Sequence, residues 1–88
     1  MYAMLSLDLE RNVTDEQRKK FYEHLKEENW VKIPKVTTTW RASFKQGTTE
    51  VGALNTTKKD VANAAKKARI GKYNAVVHFG PSKPNSFP

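Results

Sequence analysis

Asp8 is the residue whose type and place best suit chemistry. It closes the alternating segment Tyr2-Ala3-Met4-Leu5-Ser6-Leu7-Asp8, in which Ser6 and Asp8 point the same way. A strand-end carboxylate can hold Mg²⁺ through oxygen. Two copies of the chain related by a two-fold axis would bring two such carboxylates together, and such a pair with Mg²⁺ can organise phosphodiester cleavage. Asp8 is therefore the candidate catalytic and metal-binding residue. The competing structural role is a loop cap, or an ion pair with Arg11 or Arg41.

The second chemistry is electrostatic. Residues 1–28 carry five basic and seven acidic side chains, a net charge of −2. Residues 29–88 carry eleven basic side chains and only two acidic ones, Glu50 and Asp60, a net charge of +9 within a total of +7. A concentrated positive field points to a polyanionic partner. Lys59, Asn63 and Lys66 fall on one helical face, with Lys58, Lys67 and Arg69 one step round and Lys72 just beyond. Such cations can track a phosphate backbone. A solvated lysine-rich helix face is the plain alternative.

Arg41 and Lys45 complete the candidate nucleic-acid-binding set. They lie among Thr37, Thr39 and Trp40, where bases interleave with an aromatic that could stack on unpaired nucleotides. The segment Trp-Arg-Ala-Ser-Phe lacks the Gly/Phe-rich strand of RNA-stacking sheets. Trp40 shares a face with Val36 and Phe44, which makes it a core or dimer-interface residue. His24 and His78 have no partner at metal-ligand spacing. His78 could serve as a general acid or base beside a phosphate. There is no Gly-rich phosphate loop.

These residues need elements to hold them, and the pattern supplies six. Residues 2–9 alternate as a strand. Thr14-Asp15-Glu16-Gln17 is a capping box opening a helix that runs to about Asn29, and Trp30–Pro34 is an extended link. Residues 36–44 alternate again, Lys45–Thr48 turn, and Thr49–Leu54 return as the second arm of a hairpin. Thr57-Lys58-Lys59-Asp60 reads as a second capping box, for a helix over about 58–70 that stops at Gly71. Tyr73–Phe79 is the last strand. The order β-α-β-β-α-β predicts an α+β, ferredoxin-like sandwich: a four-stranded antiparallel sheet with two helices on one face.

The remaining bounds are simple. Eighty-eight residues make one domain, residues 1–80, with a Pro-rich tail over 81–88. No cysteine is present, which excludes thiolate catalysis and suits a reducing cytoplasm. No apolar run approaches the ~20 residues of a membrane span. A core this small favours dimerisation, and apolar residues on both faces of the first strand suggest a second copy covering the open sheet.

The order of elements, with Tyr2-Ala3-Met4-Leu5-Ser6-Leu7-Asp8, resembles a group of small ferredoxin-like endoribonucleases. That group includes the CRISPR-associated adaptation nuclease, the virulence-associated protein D family and the GhoS-type antitoxin. The resemblance spans most of residues 1–79 and implies a Mg²⁺-dependent endoribonuclease with Asp8 as its acid. The chain departs from the group's aromatic-plus-Asp pairing, having Leu7-Asp8-Leu9.

The reading is thus a small basic nucleic-acid-binding homodimer, directed to RNA and able to cleave it through Asp8 and Mg²⁺. The second reading is a non-catalytic interaction module, antitoxin-like or phage-encoded, whose basic face meets an acidic protein surface. A third, a small-molecule enzyme of dimeric barrel type, would need Tyr73 and His78 to converge.

Overall fold

Two interleaved β-α-β units build the molecule. The computed structural model describes residues 1–34, 38–85 and 87. The elements are β1 (Tyr2–Leu9), α1 (Asp15–Glu27), β2 (Val31–Lys32), β3 (Thr39–Ser43), α2 (Glu50–Ala68) and β4 (Tyr73–Gly80). The sheet order is β2-β3-β1-β4, and every neighbouring pair is antiparallel. This is the expected ferredoxin-like α+β sandwich. No helix is long and apolar enough to cross a membrane among the described residues.

The alternation of β1 sets the two faces. Ala3, Leu5 and Leu7 are buried, and Met4, Ser6 and Asp8 are exposed. The buried row meets Phe21 and Leu25 of α1, Val61, Ala64, Ala65 and Ala68 of α2, and Trp40 of β3. Small alanines on α2 let it lie close to α1. The indole of Trp40 lies 5.3 Å from the Tyr22 ring, and Phe21 meets Tyr73 edge-on at 6.4 Å. Phe44 and Phe79 close the end of the core beside the N-terminus, edge-on at 6.2 Å.

The capping box of α1 forms as its sequence predicts. The Gln17 N–H donates to Thr14 Oγ1 at 3.1 Å, and the Thr14 N–H donates to Gln17 Oε1 at 2.9 Å. Gln17 Nε2 also donates to the Arg69 carbonyl at 3.0 Å, tying the start of α1 to the end of α2.

Both helices end in the same way. Asn29 and Arg69 take left-handed backbone, with φ of 70° and 58°. The next residue then donates back across the last turn, Trp30 N–H to Leu25 O and Ile70 N–H to Ala65 O, each at 3.0 Å or below. Trp30 and Ile70 are buried, so each helix end is pinned by an apolar plug. Gly71 was the expected stop of α2. The left-handed residue is Arg69 instead, because Ile70 rather than a later residue is the one that reaches the core. A non-glycine there is strained by roughly 1–2 kcal/mol. Arg69→Gly is therefore expected to stabilise the fold by about 0.5–1 kcal/mol after the glycine's greater unfolded freedom is deducted, read as a higher urea midpoint.

The hairpin is the one element placed differently from expectation. Its first arm is β2, within the stretch read as a link, and its second arm is β3; Val31 pairs with Arg41 and Lys32 with Trp40. The stretch Thr49–Leu54, expected as a returning strand, caps and opens α2. Thr49 Oγ1 accepts the Gly52 N–H at 3.0 Å, and Glu50 sits favourably in the first turn. Thr57, expected as a cap, is buried mid-helix with its hydroxyl donating to Ala53 O at 2.8 Å. Val36 and Thr37, expected to begin a strand, lie outside the described residues, as do Ser86 and Pro88 of the tail.

Candidate nucleic-acid interface

The expected site residues fall into three separate regions. Asp8 and Arg41 belong to the open sheet face. The register sets Asp8 opposite Asn74, and Arg41 in one rung with Val31, Met4 and His78. Asp8 is exposed and, among the described residues, has no ion-pair partner within 4.0 Å, neither Arg11 nor Arg41. The face round it mixes Ser6, Thr39, Asn74 and His78 with the apolar Met4, Val31 and Val76.

Mg²⁺ was the cation expected at Asp8. Among the described residues no group of three or more His, Asp or Glu could hold a metal ion. One chain supplies one carboxylate there, with the Asn74 amide across from it. That donor set does not fit a metal centre within a single chain.

The α2 cations occupy the opposite side of the molecule. The buried positions of α2 are Ala53, Thr57, Asp60, Val61, Ala64, Ala65 and Ala68, which turns the facing stripe to solvent. Lys59 and Lys66 share that outward stripe, with Arg69 at the left-handed cap just past it, and all three are exposed. Lys58 lies towards β4, where it walls a hollow with Tyr73 and Val77, and Lys67 lies towards Lys20 and Glu23 of α1. Asn63, expected on the same face, is half-buried. Lys72 flanks the far end beside Glu10, Gly71 and Asn74. Lys45 sits in the β3–α2 turn, at the opposite end of the sheet from Lys72.

The two helices differ sharply in charge balance. Each ion pair among the described residues belongs to α1 or its cap: Lys19–Glu23, Lys20–Glu16, His24–Glu27 and His24–Glu28. Among the described residues none of the cations of α2 forms an ion pair within 4.0 Å. Its own acids are Glu50 at the first turn and Asp60, which is buried and accepts the Trp30 indole N–H at 2.9 Å. The helix dipole suits Lys66 and Lys67 in the last turn.

Two further expectations meet the geometry here. Trp40 is fully buried, which assigns it to the core. Tyr73 and His78 take opposite faces of β4, Tyr73 beside α2 and His78 on the open side, so they do not converge on one pocket. Sequence reasoning did not find Lys32, whose ammonium lies 5.4 Å over the Tyr22 ring. An exposed lysine next to Trp30-Val31 carries no periodic signal.

Comparison with protein-family models, curated proteins and solved structures gave no match.

Proposed function

We propose that the protein binds nucleic acid, RNA first among them, by laying the phosphate backbone along the solvent face of α2. The observation carrying this reading is the outward pair Lys59 and Lys66, with Arg69 at the cap and Lys58 and Lys67 on the two flanks, all exposed and unpaired among the described residues, on a helix whose own acids are Glu50 at its far end and the buried Asp60. Lys59 and Arg69 are about 15 Å apart along the helix axis, at 1.5 Å per residue. Measured along the axis of a B-form duplex, one strand presents roughly four phosphates over that length. The preference for RNA follows from the resemblance of the chain's order and first strand to small ribonucleases.

The test is binding of labelled single- and double-stranded RNA and DNA across a salt series. Affinity should fall steeply with salt, and Lys59→Glu with Lys66→Glu should reduce the log–log slope by about two while the fold is retained. A flat salt response, or a double variant that binds as the parent does, would sink the reading. Capture of one acidic protein in stoichiometric amount, unchanged by nuclease treatment, would replace it with the interaction-module reading. The same series run with Mg²⁺, with EDTA and with Asp8→Asn reads cleavage separately from binding. Loss of Mg²⁺-dependent cleavage in that variant is the result that would make Asp8 a catalytic residue.

A further inference from the structure

The two edges of the sheet are unequal. One is β2, only two residues long. The other is β4, eight residues long, paired with β1 on one side and with no strand on its other side among the described residues. Long free edges are normally blunted by lysine, proline or a bulge, because their unpaired N–H and C=O groups template pairing with another chain. From Tyr73 to Phe79 β4 has none of these: no proline, no Lys, Arg, Asp or Glu. It pairs with β1 without interruption from Leu9↔Tyr73 to Tyr2↔Gly80. Val76, at its middle, is 71% exposed.

Beside this edge the helix layer is incomplete. A cavity of about 150 Å³ lies between α2 and β4, walled by Leu54, Val61, Tyr73, Ala75 and Val77. Ala75 faces the helix layer yet is exposed, because α2 packs mainly on α1 and stops short of the sheet's margin.

We infer that β4 pairs antiparallel with β4 of a second copy of this chain, centred on Val76, to make one continuous eight-stranded sheet. The sequence of the strand is complementary to its own reverse in this register. Val76 faces Val76 of the second copy. Ala75 faces Val77 and Tyr73 faces Phe79 on the helix side, and Asn74 faces His78 on the open side. Aromatic meets aromatic, aliphatic meets aliphatic and polar meets polar, the cross-strand pairs that stabilise antiparallel sheets. The contact is isologous and closed, so it ends at a dimer rather than running on as a fibre.

Charge agrees with this register. Each copy carries +7, and the uncharged strand is where two copies approach with least repulsion. The register also sets Lys72 opposite Gly80 of the second copy. A stable interface needs on the order of 1,200 Å², more than the pairing of one strand provides. The α2–β4 cavity supplies further apolar area, and the second copy's helix-side residues complete the margin that α2 leaves open.

The open sheet face is the alternative dimer surface, and cysteine chemistry separates the two. The chain has no cysteine, so a single introduced thiol gives a clean readout. Facing residues of an antiparallel pair have Cα atoms ~4.5–5.5 Å apart, within the ~4.4–6.8 Å that a disulfide spans. Val76→Cys should therefore oxidise to a disulfide-linked dimer, whereas Met4→Cys, 40% exposed on the open face of β1, should not. In sedimentation from micromolar to near-millimolar concentration the parent should dimerise reversibly. Val76→Lys, which sets two ammonium groups against each other at the two-fold axis, should remain at the 10.1 kDa monomer mass. The inference is overturned by a parent that stays monomeric throughout, by a Val76→Lys variant that still dimerises, or by Met4→Cys cross-linking in preference to Val76→Cys.

Discussion

Trp40→Ala is expected to lower the stability of the chain by about 3–5 kcal/mol. Trp40 is fully buried in β3, opposite Leu5 of β1 and Lys32 of β2, with the Tyr22 ring 5.3 Å away. Truncating a buried aromatic to alanine costs about 3–5 kcal/mol, part lost transfer energy and part cavity. A domain of this length has a total stability of roughly 4–13 kcal/mol at 0.05–0.15 kcal/mol per residue. The loss therefore consumes a large share of what holds the fold, and no disulfide stands behind it. Urea unfolding followed by circular dichroism measures this. A cooperative transition displaced by less than about 1 kcal/mol would show that the site collapses around the missing ring far better than close packing allows.

Asp60 offers the second large effect, and its sign depends on the substitute. The carboxylate is 8% exposed between the helices and accepts the Trp30 indole N–H at 2.9 Å. Burial raises its pKa above the usual 3.8, and the negative charge of Glu28 adds to this; the Trp30 N–H and His24 pull it down. Because the folded pKa is raised, folding favours the protonated acid. The stability this contributes is complete below the unfolded pKa and is lost as pH rises through the higher folded one. At neutral pH the buried carboxylate is a liability that the Trp30 bond offsets in part.

Asp60→Asn keeps an acceptor for Trp30 and removes the charge. It should be at least as stable as the parent at pH 7, with the difference shrinking as the pH falls towards 4. Asp60→Ala removes the acceptor and leaves the buried indole N–H unpaired, which costs about 1–3 kcal/mol. Urea midpoints of the three proteins across that pH range decide the matter. An asparagine variant clearly weaker than the parent at pH 7 would mean that the charge itself stabilises the helix pair.

Most of the fold is legible in the sequence where a pattern persists over several residues. The alternation of β1, the Thr14 capping box, the Phe21–Leu25 stripe and the last strand each declare themselves within a short window. The hairpin does not. The strand β2 is two residues long, too short for any period, and is set by the Trp30 plug and by the Ile33 N–H donating to Thr39 O. The first turns of α2 mislead for a different reason. Val51 is 70% exposed, so the opening of the helix lacks its apolar marker, and Thr48-Thr49 with Val51 and Gly52 imitates a strand with a bulge. Tertiary packing of Ala53 and Thr57 overrides that local preference.

The site is legible in part for the same reasons. Charge is a property of composition, so the imbalance between the two halves is visible at once, and the α2 stripe follows from helical period. The separation of Asp8 from that stripe is not visible. It depends on which sheet face α2 covers, and both faces of β1 carry apolar side chains in the sequence. Only the burial of Ala3, Leu5 and Leu7 assigns the helices to the side away from Asp8.

Gln17 has a dynamic consequence. Its amide holds the first turn of α1 with one end and the last carbonyl of α2 with the other. Helix ends usually fray independently, each at its own small free energy. Here the opening of either end releases a donor or acceptor that the other was using. Fraying at Arg69 is therefore expected to be coupled to fraying of the first turn of α1, and Gln17→Ala should speed hydrogen exchange at both ends together.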